Sequence, residues 1–275
     1  MVTALQIHGL PDTASQKDTR GITIPSVSVR HIKLPLVLGD RHGGSTIADI
    51  SLGVSLDAGH KGIHMSRLVR LLQPLQEQPT YLADWVEILQ VARDQSHAAQ
   101  SHLDLAYTRF YRRRAPVTGE TGLLSAEERW MLRNHVTVMA EWTVKTTVAN
   151  VCPCSREISD FGAHNQRVDI TVTLCFDPSH GCPVDAGDLI GAMEQQGSSP
   201  LYAVLKRADE KHVTESAYDN PKFVEDILRD TVIYLRSLPR LSGFRVDIES
   251  HESIHQHNAG AAYEEYCDDT PVEGA

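Results

Sequence analysis

Along residues 49–57 the chain alternates, with Ile50, Leu52, Val54 and Leu56 set against Asp49, Ser51, Ser55 and Asp57. A period of two sends successive side chains to opposite faces of a strand, so this pattern predicts a half-buried strand and an antiparallel sheet with one covered face. The spacing then changes to i, i+3, i+4, i+7, first through Met65, Leu68, Val69 and Leu72 and then through Leu82, Trp85, Val86 and Leu89. Each set predicts a helix with a single apolar stripe. Leu103, Leu105 and Tyr107 return to period two.

The second half repeats the order. Val136, Val138, Ala140, Trp142 and Val144 predict a strand, and the clearest strand is Val168, Ile170, Val172, Leu174 and Phe176, alternating with Asp169, Thr171, Thr173 and Cys175. A short helix is expected over 188–196 and a longer one over 221–238, opened by Asn220 and Pro221 and stopped by Pro239. Phe244, Val246 and Ile248 supply the closing strand. Strand, two helices, strand thus occurs twice, which predicts an α+β protein of two similar modules.

The copies differ at residues 197–218, expected as a long connection between the helices of the second copy; loops of that length in compact domains are usually functional. Near the boundary, over 116–134, Ser125 and Glu128 have capping-box spacing and suggest a helix where a fourth strand would also fit. The division that follows is an N-terminal arm at 1–28, a first module at 29–134 and a second module at 135–275. Glu264, Glu265, Asp268 and Asp269 form an acidic C-terminal tail.

Composition narrows the function classes. With 26 Lys+Arg against 36 Asp+Glu the formal net charge is −10, which excludes the simplest electrostatic route to nucleic acid or an anionic membrane. No segment approaches the ~20 apolar residues of a membrane span. Five cysteines, four of them between 152 and 182, do not form a secreted disulfide framework. A reducing cytoplasm is the expected compartment, and the thiols are candidate ligands or nucleophiles.

Chemistry concentrates in three segments. Residues 151–167 read V-C-P-C-S-R-E-I-S-D-F-G-A-H-N-Q-R between two predicted strands; residues 249–257 read E-S-H-E-S-I-H-Q-H at a strand end; residues 205–211 read L-K-R-A-D-E-K in the long connection. In extended chain His255 and His257 project to the same side. Singly, these segments also read as ordinary reduced cysteines, a solvated strand end and a solvated charge run. Together they supply a thiolate, imidazoles and carboxylates, a mixed set suited to a borderline metal such as Zn²⁺ with an open position for water. No Walker A loop, GxGxxG after a strand, HExxH or GxSxG is present.

Those segments, with N-P-K-F-V-E-D at 220–226, D-T-R-G-I at 18–22, K-G-I-H-M-S-R at 61–67 and A-P-V-T-G at 115–119, resemble the signature segments of the prokaryotic type IB GTP cyclohydrolases. His212 departs from the pattern, where an aromatic is expected, and 120–133 fits it poorly. The resemblance implies the tunnelling fold, as two tandem modules of antiparallel sheet with two helices each, assembled into homotetramers with sites near subunit interfaces. It also implies hydrolysis of GTP to 7,8-dihydroneopterin triphosphate and formate.

For the site it implies a divalent metal, Zn²⁺ or Mn²⁺, held by Cys152, His164, Glu210 and His255, with Cys154 as the alternative thiol. His257 and Glu252 are then candidates for proton transfer, Glu225 for the guanine edge, and Arg156, Arg167, Lys206, Arg207 and Lys211 for the triphosphate. Two other classes remain open at this point. One is an enzyme of the same fold using Cys152 or Cys154 as a covalent nucleophile on a purine-derived substrate, and the other is a non-catalytic, metal-stabilised purine- or pterin-binding protein.

Overall fold

The computed structural model describes residues 12–41 and 43–266; of the expected acidic tail, Glu264 and Glu265 belong instead to the last strand of the sheet, and Asp268 and Asp269 lie outside the described residues. In chain order the strands β1 (Ile24–Leu38) and β2 (Ser45–Leu56) are followed by α1 (Met65–Leu72), the short β3 (Pro79–Thr80) and α2 (Leu82–Gln95). Three long strands come next, β4 (Ser101–Arg114), β5 (Thr121–Asn134) and β6 (Val138–Val151). After α3 (Pro153–Ile158) and β7 (Asn165–Phe176) run α4 (Ala186–Glu194), α5 (Arg207–Asp219) and α6 (Val224–Arg236), and then β8 (Gly243–Ser250) and β9 (Ala259–Tyr266).

The nine strands of the described residues belong to one sheet, in the order β3-β1-β2-β4-β5-β6-β7-β8-β9. Every pairing is antiparallel except that of β1 with β3. This overturns the expectation of two tandem tunnelling-fold modules with two helices each. Across the expected boundary β5 pairs with β6 from Asn134↔Val138 to Glu127↔Lys145, so residues 135–137 close a hairpin and the sheet continues without an edge. The helices also divide unequally, with α1 and α2 before β5 and α3 to α6 after β6.

Alternation decides which face is covered. Ile50, Leu52, Leu103, Leu105, Leu132, Trp142, Val172 and Ile248 are buried against Leu68, Leu72, Trp85, Leu89, Leu189, Met193, Ile227 and Leu235 from the helices. Residues of the other parity, among them Asp49, Asp104, Glu127, Arg129, Lys145 and Glu249, leave the opposite face polar. Among the described residues no helix is long and apolar enough to cross a membrane.

Three local expectations change for identifiable reasons. Where Ser125 and Glu128 suggested a helix, the chain forms β5, and Glu128 points into the core instead of capping. Much of the expected connection at 197–218 is α5, whose apolar signal is faint because only Asp209 and Ala217 of it are buried. The following helix begins at Val224, later than Pro221, because the Lys222 amide donates to Val151 O at 3.1 Å and Lys222 O accepts from Asn150 Nδ2 at 2.8 Å. Those bonds hold 221–223 out of the helix. The first turn is capped by Asp226, whose carboxylate accepts from the Phe223 amide at 3.0 Å.

Beneath the sheet, β4, β5 and β6 share a buried polar knot. Glu128, with a fully buried side chain, pairs with Arg109 Nε and accepts from Tyr107 Oη at 2.9 Å and Trp142 Nε1 at 3.1 Å. Arg109 also reaches both oxygens of Asp40, at 3.0 and 2.6 Å. Removing one member of such a group strands the rest in a low dielectric. Glu128→Ala is expected to cost about 3–5 kcal/mol of stability in denaturant unfolding, whereas a cost under about 1 kcal/mol would show that the knot is not what braces these strands.

Candidate functional site

The register of β6 against β7 runs from Ala140↔Phe176 to Val151↔Asn165. One step further, Cys152 and His164 stand opposite each other, with the Cys152 amide donating to His164 O at 3.2 Å. The thiol segment and the imidazole are therefore joined by the sheet itself. Ser155 Oγ fastens the opening, donating to Cys152 O at 3.1 Å and accepting from the His164 amide at 3.2 Å. Pro153 starts α3 directly after Cys152 because its missing N–H costs nothing at a helix start.

Cys152 is half-buried and Cys154 exposed. Burial pushes the thiols of Cys175 and Cys182 up to about 11 and about 12, so neither presents a thiolate near neutrality.

A chain of amide and carboxylate contacts orients the imidazole. His164 Nδ1 lies 2.9 Å from Gln166 Oε1, while Gln166 Nε2 donates to Ser250 Oγ at 3.4 Å and Glu252 Oε1 at 3.3 Å. Ser250 Oγ in turn donates to Glu252 Oε1 at 2.8 Å. With the Gln166 nitrogen committed to these acceptors, its oxygen faces His164 and calls for Nδ1–H. The lone pair is then left on Nε2, the arrangement that metal-ligating histidines use.

His255 and His257 lie in the connection 251–258, which bends and is not a continuation of β8, yet their rings stack with centroids 5.1 Å apart and an interplanar angle of 18°. Glu210 is exposed in the first turn of α5. Cys152, His164, Glu210 and His255 do not close into a compact donor set within one chain. Among the described residues, the group of three His, Cys, Asp or Glu whose donor atoms lie within 4.8 Å of one another is Asp169, Glu249 and His251. It sits on the polar face of the sheet, and the Lys145 ammonium, 2.9 Å from Asp169, already places a cation there.

The basic candidates separate in the same way. Lys206 pairs with Glu120, Lys211 with Glu215 at 3.1 Å, and Arg156 stacks over Tyr218 at 4.6 Å and lies 3.7 Å from Asp219. Arg167 lines a cavity of about 730 Å³ on the polar face with Phe110, Leu123, Thr147, Asp169 and His251. Glu225 is exposed in the first turn of α6, and because Asp226 caps that helix the Glu225 carboxylate is not engaged in capping.

Sequence reading missed Gln166 and Asp209 as organising residues. Asp209 was visible only as a carboxylate three positions after Lys206, the spacing of a helix-start acceptor. It is fully buried and accepts from the Val117 and Thr118 amides at 2.8 Å, from Thr118 Oγ1 at 2.7 Å and from the Lys206 amide at 3.0 Å. The β4–β5 turn, which carries A-P-V-T-G, is thereby hooked to the start of α5, one residue before Glu210.

The sheet and its helical layer define an antiparallel α+β protein whose solved likenesses include uricases. The uricase from Arthrobacter globiformis aligns with a TM-score of 0.52 and 7% identity, over 91% of this chain and 97% of that one. A thermostable mutant uricase gives a TM-score of 0.51 at 5% identity over 90% and 94%. Identities this low speak for the fold alone. Sequence goes further: residues 10–261 match the family model for type I GTP cyclohydrolase folE2, and the chain belongs to that family. GTP cyclohydrolase FolE2 of Dichelobacter nodosus is 40% identical over 260 residues, 93% of this chain and 97% of the relative. That of Bordetella avium is 40% identical over 258 residues, 93% and 96%.

The Asp209 hook gives a pH-dependent prediction. Burial alone would raise its pKa, but the Thr118 hydroxyl and amide and the Lys206 and Val117 amides outweigh it and hold the carboxyl below its ordinary 3.8. A depressed folded-state value means that the stabilisation is complete above the ordinary value and is lost as pH falls through the depressed one. Asp209→Ala should therefore lower Tm at pH 7, and the gap from wild type should narrow as the pH drops below about 4. A gap independent of pH over that range would show that the charge on Asp209 is not what holds the turn.

Proposed function

We propose that the mouth of the β6–β7 hairpin is where GTP is opened to 7,8-dihydroneopterin triphosphate and formate, the entry to folate-type pterins. GTP cyclohydrolase activity follows from the family; the placement of the reaction rests on Cys152 facing His164 with its Nδ1 occupied by Gln166. A half-buried thiol opposite an imidazole with a free Nε2 fits a divalent metal, Zn²⁺ or Mn²⁺. Glu210 and His255 complete the proposed ligand set. When bound, such an ion supplies a water acidified enough to attack near neutral pH.

The chain's own residues do the rest. Gln166, Ser250 and Glu252 keep the His164 ring in one tautomer and one orientation. His257, stacked on His255, is the proposed donor of the proton that the departing ring nitrogen needs, and Glu252 is the second candidate, with one oxygen already accepting two hydrogen bonds. Glu225 takes the guanine edge: its two oxygens match N1–H and the exocyclic amine, whereas adenine presents an acceptor at N1. Arg207, Arg156, Lys206, Lys211 and Arg167 form the proposed basic set for the triphosphate, with Lys206 and Lys211 exchanging their present carboxylate partners for phosphate oxygens.

The dispersal of these groups over α5, the 251–258 connection and both faces of the sheet supports a site completed between subunits of a homo-oligomer, a tetramer in this reading. Among the described residues β9 is the terminal strand of the sheet, which is consistent with it.

The test is incubation of metal-loaded protein with GTP, following formate release and the fluorescence of neopterin after oxidation. Cys152→Ala should lose most bound metal and essentially all turnover while staying folded. His257→Ala should keep its metal and slow by ~10²–10⁴, the range of a lost acid–base group. An active, fully metallated Cys152→Ala protein would sink the assignment.

A further inference from the structure

Three segments far apart in sequence meet at the end of β6, and one side chain touches two of them while belonging to the third. Asn150, 2% exposed, donates from Nδ2 to Lys222 O at 2.8 Å and accepts at Oδ1 from Ser198 Oγ at 2.9 Å. Ser198 Oγ also accepts from the Val151 amide at 3.0 Å, and the Lys222 amide donates to Val151 O at 3.1 Å. Around this centre Ala149 and Ser199 exchange backbone hydrogen bonds at 2.9 and 3.2 Å, and Asn220 Nδ2 donates to Gly197 O and Ser198 O at 3.1 and 3.3 Å.

The amide can make this bridge in only one orientation, because Lys222 offers an acceptor and Ser198 a donor. Two residues after Asn150 comes Cys152; three residues after Lys222 comes Glu225, in the first turn of α6. The backbone that leads to Cys152 and the backbone that leads into α6 are therefore tied together by a buried amide. Downstream, the Asp226 cap on Phe223 and the Lys222 Nζ to Asp230 contact at 2.8 Å make 222–230 a rigid continuation of that anchor.

We infer that Asn150 is a positioning residue for substrate selection, holding Glu225 at a set distance from the Cys152 segment so that guanine is gripped with its C8 over the reacting groups. This rests on the reading of Glu225 as the guanine anchor. Asn150 touches no substrate; its effect passes through the backbone of Lys222. Replacing its Nδ2 by oxygen sets two acceptors against each other at 2.8 Å, which loosens the start of α6 while leaving Cys152 and His164 paired by the sheet.

Steady-state formate release from GTP and from ITP, whose base lacks the exocyclic amine, separates this role from a merely structural one. Asn150→Asp is expected to raise KM for GTP by roughly 10-fold or more and to bring the preference for GTP over ITP toward one, with kcat and metal content little changed. Unchanged KM and preference, or a fall in kcat with the preference intact, would overturn the inference. Should Asn150→Asp not fold, Ser198→Ala, which deletes only the hydroxyl link, carries the same readouts with a smaller expected change in the same direction. Glu225→Gln run in parallel tells the two failures apart. If Glu225→Gln keeps the wild-type preference, the guanine-anchor reading fails and this inference with it; if Glu225→Gln loses the preference while the Asn150 and Ser198 variants keep it, the positioning role alone is wrong.

Discussion

Antiparallel pairing leaves no freedom once two strands are in register, and the pairing of β6 with β7 carries this property to the candidate site. Twelve residue pairs, from Ala140↔Phe176 to Val151↔Asn165, put Cys152 opposite His164. A slip of one residue would turn one strand's set, Val144 and Val148 or Ile170 and Val172, out of the core and separate the thiol from the imidazole in the same movement. The site is thus protected by hydrophobic burial several residues away. No contact between Cys152 and His164 themselves has to supply that energy.

What the sheet does not fix is the placement of helix-borne groups against that hairpin mouth, and buried polar side chains take over this task. Asp209 hooks the β4–β5 turn to the start of α5, Asn150 and Ser198 tie the start of α6 to the end of β6, and Gln166 links His164 to Glu252. Each such group is costly if left unpaired, so a displaced helix leaves a buried carboxylate or amide without partners. Their worth lies in specifying one arrangement more than in net stability. The Glu128–Arg109–Asp40 knot does the same for the middle of the sheet, where aromatic rings, Trp130 stacked on Trp142 at 4.8 Å, close over it.

Fold and chemistry point to different relatives here. The uricase likeness, a TM-score of 0.52 at 7% identity, speaks for the shared architecture alone. The chemistry follows the sequence relatives, whose identity of about 40% extends over almost the whole chain. Against an overall charge of −10, Lys206 and Lys211 stand in surface ion pairs with Glu120 and Glu215, which are weak enough to exchange.

The sequence by itself determined the elements whose apolar spacing is strong: β2, β4, β7 and β8 by alternation, α1 and α2 by the helical stripe, because burial of one face writes a period into the chain. It also determined the family, through motifs around Cys152, Glu210, Glu225 and His255. It left β5 open between helix and strand, because Glu128 mimics a capping residue yet serves a buried ion pair, and it did not reveal α5, whose buried positions are too few to leave a period. The joining of the two halves into one sheet, the hook at Asp209 and the bridge at Asn150 were decided only by the tertiary structure. The hook and the bridge depend on partners some 70 to 90 residues apart, as Thr118 and Asp209 or Asn150 and Lys222 are, and a local pattern carries no record of such a contact; the joining depends on β5 being a strand that pairs with β6.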